Sequence, residues 1–414
     1  MTLAKTVRGA GITIAAQSVS SLTNFVTSAL VLLSTDLETF GLFAVAFNGC
    51  QLVVTITQGS LGDSILIRSR EFADDAESGP LRSGAALAGV LLGGIAGVVM
   101  AAIGVAVGGD LRPYLLIGAL GSPALVAQYV LRAQLFARQR PLLVVVADVV
   151  WFSCLVVAAI GAEVGAWTMS AERYLVVWLF GAAVSGFPVL ARSVTASRGD
   201  FAAFVSVTGP QTVRLGIEAA LARSVFVTSL VTATIVVDSA ASGALAAAVL
   251  VLSPLTVTHV GLSSFVVPRR IRAFGIHVPS LRPVLRMTAV VIAITVGWAA
   301  VLVIVNLADL ARGPFNLSAN GVGWWLFAAS VTRFLALAAW RGPLIALRIA
   351  DATEESLSAR ALATVAQWIL PIVGFWAWGL TGGAMALAIA TWVGTALAWR
   401  EWADLRQRAD RGGG

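Results

Sequence analysis

Two arginines, Arg223 and Arg333, stand inside long apolar runs of the sequence. Arg223 lies nine residues past Arg214, about 13 Å along a helix at 1.5 Å per residue. A guanidinium at that depth in a membrane costs at least about 2.5 kcal/mol unless it meets water, a counter-ion or a ligand. Its planar fork binds oxyanions bidentately, so the chemistry on offer is anion binding. The competing reading is pairing with an intramembrane acid, for which Glu218 and Asp148 are the candidates. Glu218 also stands four residues from Arg214, the spacing of a helical ion pair. Arg333 is placed similarly, about two turns from Arg341.

Two polar stripes accompany the arginines. Thr13, Gln17, Ser21, Asn24 and Ser28 form one, and Asn48, Gln51, Thr55, Gln58 and Gly62 the other. Steps of three and four put each set on one helix face. Such a face either walls a wet cavity or serves as polar contact between helices. The carboxylates Asp63, Asp148 and Glu218 are candidates for loading a coupling proton or sodium ion, since a buried carboxylate can take up and release a proton. Asp63 stands close to Arg68, and a local ion pair is its competing reading. His259 is a lone histidine in an apolar segment and reads as a packing residue. Paired carboxylates, a nucleophile with histidine, a metal cluster and a phosphate-binding glycine loop do not appear in the sequence. The expectation is a protein without catalytic residues, metal or cofactor.

The elements holding these residues follow from composition. The chain is 58% hydrophobic and 12% charged, roughly half the charge of a soluble protein. Its net charge of +7 comes almost wholly from arginines in short loops, the pattern of membrane topology rather than of nucleic-acid binding. Spans of about 20 apolar residues cross a bilayer as helices. Twelve are expected: 11–34, 39–67, 84–109, 113–136, 142–162, 171–192, 214–237, 241–267, 284–307, 320–340, 360–378 and 380–399. The fold class is therefore an all-α polytopic membrane protein. With the N-terminus inside, all of the 28 basic residues but five fall at cytoplasmic ends or loops, Arg132 among them. The five are Arg112, Arg173 and Arg312 outside, and Arg223 and Arg333 within helices. This bias predicts both termini inside. Trp324, Trp325, Trp376 and Trp378 are expected at the outer interface, Trp399 and Trp402 at the inner one. The outer loops are expected to be short, with the longest connections cytoplasmic at 193–213, 268–283 and 341–359. Cys50 and Cys154 are expected as free, buried thiols. Pro123, Pro188, Pro254 and Pro371 sit where they can kink helices.

The chain also repeats itself. Asp36, Gly41, Gly59, Arg68 and Arg70 recur 202 residues later as Asp238, Gly243, Gly261, Arg270 and Arg272. Arg140-Pro141 aligns with Gly342-Pro343, and Arg223 stands where the first copy has Ser21. Both copies start on the same side, which is a parallel repeat. The expected division is a six-helix lobe over 1–200, a cytoplasmic amphipathic linker over 201–213, and a second six-helix lobe with a short tail over 214–414.

The segment Asp36-Leu-Glu-Thr-Phe-Gly41-Leu-Phe, followed by Gln58-Gly59-Ser-Leu-Gly62 and Arg68, resembles the opening of the polysaccharide-exporter flippases. These belong to the multidrug/oligosaccharidyl-lipid/polysaccharide exporter superfamily. The resemblance implies two six-helix lobes around a polar cavity that move a polyprenyl-diphosphate-linked saccharide from the inner to the outer leaflet by alternating access. It implies the bacterial cytoplasmic membrane, and a diphosphate that suits Arg223. The expected partners are that glycan and membrane lipids, not nucleic acid. Association with a polysaccharide polymerase or glycosyltransferases is an open option, and a monomer is expected. Two rival readings stay open. One is a cation-coupled multidrug antiporter of the same superfamily, although the first helix lacks the carboxylate usual there. The other is a membrane-embedded polysaccharide-processing enzyme. The lipid II flippase branch resembles the sequence less, because its first helix carries basic residues.

Overall fold

The computed structural model describes residues 3–69, 71–72, 78–274, 278, 280–350 and 352–412, with side chains described at all of these except 3–16, 210, 257–274, 348, 353 and 412. The side chains of Thr13 and His259, the repeat residues 261, 270 and 272, and the loop residues Arg70, Asp74, Asp75 and Glu77 lie outside the described residues. Twelve helices follow one another among the described residues: α1 (Leu3–Ser34), α2 (Leu37–Thr57), α3 (Asp63–Ile67), α4 (Gly79–Val107), α5 (Leu111–Ala137), α6 (Pro141–Glu163), α7 (Ala171–Thr195), α8 (Arg198–Val236), α9 (Ser239–Phe274), α10 (Leu281–Leu307), α11 (Trp324–Ile349) and α12 (Thr353–Gly412). The protein is an all-α polytopic membrane protein. Nine stretches among the described residues are long and apolar enough to span a bilayer. Large apolar side chains such as Leu120, Val98 and Ile95 stand on the outside, where lipid replaces water.

Local chemistry accounts for the helix boundaries. Asp36 opens α2 as its N-cap, its carboxylate accepting from the Thr39 backbone N–H at 2.8 Å. The repeat residue Asp238 does the same for α9, accepting from Ala241 N–H at 2.6 Å. The recurring acid is thus a helix cap, which satisfies a backbone donor that the helix itself leaves orphaned. Gly379 takes a positive φ of 60° and folds α12 back on itself at Trp378–Gly379. There Gly374 and Gly382 approach so closely that neither has room for a side chain. The two arms of this hairpin correspond to the expected spans 360–378 and 380–399.

Several expectations need correction. Residues 201–213 are the opening turns of the 39-residue α8 and run without a break into the next span. The 193–213 connection shrinks accordingly, and α9 and α11 likewise extend through residues expected in loops. The longer connection is the one between α10 and α11, over 308–323. It is organised by Asn306, which donates to the Phe315 carbonyl at 2.9 Å and accepts from the Leu317 N–H at 2.9 Å. Pro141 opens α6 as the alignment suggests, but its counterpart Pro343 lies inside α11. Trp376 and Trp378 are exposed as expected. Trp402 is instead packed with Val284 and Leu347, and Trp399 donates to the Ala339 carbonyl at 3.1 Å. Cys50 is free and buried, whereas Cys154 is free and half-buried.

The chain forms two compact units, Met1–Val227 and Thr228–Gly414. In the first, α4 packs on α5, and α5 on α7. Its close approaches run through glycine: Gly97 faces the Ala119 carbonyl and Gly93 the backbone at Pro123, small residues of the kind that let membrane helices meet. In the second unit, α11 packs on α12, and Arg360 lies 4.1 Å from the centre of the Trp340 ring.

Candidate functional site

The polar residues of the first unit meet in its interior. Gln17, Ser21 and Asn24 are half-buried on α1, and Asn48 is buried on α2. Arg223, on α8, donates from Nη2 to Asn48 Oδ1 at 2.6 Å and lies 6.0 Å from the Phe226 ring centre. Its Nε is buried with no partner. The Gln51 amide, one turn further along α2, likewise has a buried Nε2 without a partner. Two unsatisfied buried donors on facing helices are expensive unless a ligand or water completes them. Guanidinium and amide N–H groups so placed are chemically able to donate to an oxyanion.

A second, fully closed network lies beside it. Arg132 on α5 holds both carboxylate oxygens of Asp148 on α6 at 2.6 Å. Gln128 donates to the same carboxylate at 2.9 Å, and Arg132 reaches Gln17 Oε1 at 3.3 Å. Arg132 and Asp148 are buried. This corrects two expectations. Arg132 is an interior residue rather than a topology-setting charge at a helix end. Asp148 is the partner of Arg132, not of Arg223. A coupling ion at Asp148 would have to compete with the Arg132 guanidinium. Linear spacing conceals Arg132, because it stands only six residues from Arg138 and reads as part of the same basic end.

Aromatic side chains join the two networks. Trp178 on α7 donates to Asn24 Oδ1 at 3.1 Å, and Trp151 on α6 donates to the Trp178 carbonyl at 2.6 Å. Phe47 packs on Trp178 at 4.7 Å between ring centres, and Tyr129 meets Trp151 edge to face at 6.1 Å. Asn24 Oδ1 is thus tied to α7 through Trp178.

The other expected residues disperse. Thr55 returns its hydroxyl to the Gln51 carbonyl at 2.8 Å. Gln58 is exposed and begins a π-helical turn, Gln58–Gly62. Such turns widen a helix by one residue. Gly59 within it faces the Leu215 carbonyl and Ala219 of α8, with no room for a Cβ. The glycine-rich motif is therefore a docking turn that brings α2 against α8, the helix carrying Arg223. Glu218 and Asp63 are half-buried. Arg68, expected beside Asp63, lies 3.7 Å from Glu71. Arg333 is half-buried on α11 of the second unit. A group of three or more metal-ligating side chains is absent among the described residues.

This architecture, two compact units of helices with buried polar side chains, is similar in fold to solved transporters of the MOP superfamily. The particular proteins it resembles belong to several branches. A lipid II flippase, MurJ, in an inward closed conformation matches with a TM-score of 0.70 at 12% identity, over 92% of this chain and 85% of that one. An inward-facing multidrug resistance transporter of the MATE family matches with a TM-score of 0.62 at 14% identity, over 95% of each chain. A MOP superfamily transporter from Pyrococcus furiosus matches with a TM-score of 0.64 at 15% identity, over 97% and 95%. The likeness is one of fold and does not separate flippase from antiporter. The expectation that the chain stands further from the lipid II flippase branch rests on an uncharged first span at 11–34. However, α1 begins at Leu3 and takes in Lys5 and Arg8, and the TM-score of that flippase exceeds those of the other two proteins. No protein-family model matches the chain, and no curated protein matches it.

Proposed function

We propose that the protein is a flippase that carries a polyprenyl-diphosphate-linked saccharide across the bacterial cytoplasmic membrane. The observation that carries this reading is Arg223, anchored through one Nη to Asn48 with its Nε buried and unsatisfied. A guanidinium so held is positioned and still able to donate, which suits a diphosphate. The Gln51 amide beside it offers a further donor. Amides and hydroxyls on α1 and α2 suit sugar hydroxyls. Deletion of the protein followed by lipid extraction tests the reading. Accumulation of a polyprenyl-diphosphate oligosaccharide is expected.

The second reading, a cation-coupled small-molecule antiporter, is favoured by the MATE-family matches. Its carboxylate would be Asp148, Glu218 or Asp63, with H+ or Na+ as the ion. Asp148 is already occupied by Arg132, which weighs against it. Unchanged lipids with altered drug sensitivity after deletion would favour this reading over the first.

A further inference from the structure

A groove of about 450 Å³ runs between α5, α6 and α7 of the first unit. Its walls are Leu131, Leu143, Val146, Val150, Val184 and Phe187, of which Val146 and Phe187 are more than half exposed. Its far end is cationic: Arg138, at the end of α5, and Arg192, in the last turn of α7, both line it. Arg82 and Arg138 act on Arg192 as like charges, and no ion pair of Arg192 is seen among the described residues. From Arg138 to Leu131 is seven residues, about 10 Å of helix, against ~15 Å for half of a ~30 Å hydrocarbon core. Within the groove, Ser185 is 6% exposed and its hydroxyl oxygen is buried without a partner.

We propose that this groove binds one anionic phospholipid, its phosphodiester on Arg192 and Arg138 and an acyl chain along the α5–α7 walls. Charge complementarity selects the occupant. An apolar trough that ends in clustered guanidinium groups at a membrane boundary fits an amphiphile with an anionic head. The arginines lie at the end of the helices expected in the cytoplasm, where a glycerophospholipid of the inner leaflet reaches them without leaving the bilayer. Ser185 gives an ester carbonyl a donor inside the trough. The site is separate from Arg223 and Asn48, and it does not depend on which substrate is transported.

The test uses the purified full-length chain in a neutral detergent, with phosphatidylglycerol or phosphatidylcholine added. Native mass spectrometry reads retained lipid, and thermal unfolding reads stabilisation. Preferential retention of one phosphatidylglycerol is expected, with a larger rise in the unfolding midpoint than phosphatidylcholine gives. R138Q/R192Q should weaken that retention on the order of tenfold, while R138K/R192K should keep it. Val146→Trp, which fills the trough and leaves the charges, should lose retention of both lipids. Equal retention of the two lipids by the wild type overturns the proposal, as does full retention of phosphatidylglycerol by R138Q/R192Q. Should R138Q/R192Q fail to fold, unchanged phosphatidylglycerol retention by Val146→Trp overturns it. Displacement of phosphatidylglycerol by an equimolar polyprenyl phosphate would assign the groove to the carrier lipid and overturn it too.

Discussion

Arg132 and Asp148, on neighbouring helices, form a buried bidentate contact in which one guanidinium nitrogen lies 2.6 Å from each carboxylate oxygen. The side chains are 5% and 0% exposed, so neither charge has water to fall back on. Removing one partner strands the other. Asp148→Ala is expected to destabilise the protein by about 3–5 kcal/mol, whereas replacing both residues with apolar ones of similar volume should cost much less. Thermal unfolding of the single and double variants in one detergent decides it. A double variant as unstable as Asp148→Ala would overturn this, because it would show that the loss comes from the pair itself and not from a stranded charge.

Arg223→Ala is expected to abolish export while leaving expression and the unfolding midpoint close to wild type. Arg223→Lys should retain part of the activity, because it keeps the charge and loses the planar fork. Asn48→Leu should also lower export, since the amide is what aims the guanidinium. Full export by a well-expressed Arg223→Ala protein would sink the proposed role.

Asp36 supplies a stability term that depends on pH. Its hydrogen bond from the Thr39 backbone holds the carboxyl below its usual range. A carboxyl whose folded value is depressed stabilises the fold above its unfolded value and loses that contribution as pH falls through the folded one. Asp36→Asn keeps the cap without the ionisation, so its unfolding midpoint should vary less than wild type between neutral and strongly acidic pH. In the second repeat, Asp238→Ala should cost about 1 kcal/mol through loss of the cap.

Gly59→Ala should push α2 away from α8. A Cβ there would sit 2.5 Å from Ala219 Cβ and 2.7 Å from the Leu215 carbonyl oxygen. The expected loss is about 1–3 kcal/mol. Because Arg223 rides on α8, export should fall by more than the loss of folded protein explains. Parallel transport and folded-fraction measurements separate the two effects.

Hydropathy, loop arginines and a 202-residue repeat suffice to read the all-α membrane fold and the approximate span positions. They work because each is a local property: a helix must be apolar for its whole length to cross lipid, and Asp36 and Asp238 cap backbone donors only three residues away. Arg223 is conspicuous for the same reason, as a charge surrounded by apolar neighbours.

The partnerships were decided by tertiary structure. Arg223 meets Asn48 across 175 residues of sequence, and Arg132 meets Gln17 across 115. Linear spacing gives no means of choosing Asn48 over Glu218, or Asp148 over Glu71, as an arginine's partner. The identity of Gln58–Gly62 as a π turn docked on α8 was hidden too, since the closeness of Gly59 to Leu215 exists only once the two helices pack. The sequence alone determined which side chains would be costly to bury. The packing of α1, α2, α5, α6 and α8 decided which of those costs is cancelled by a partner, as at Asp148, and which is left open, as at the Nε of Arg223.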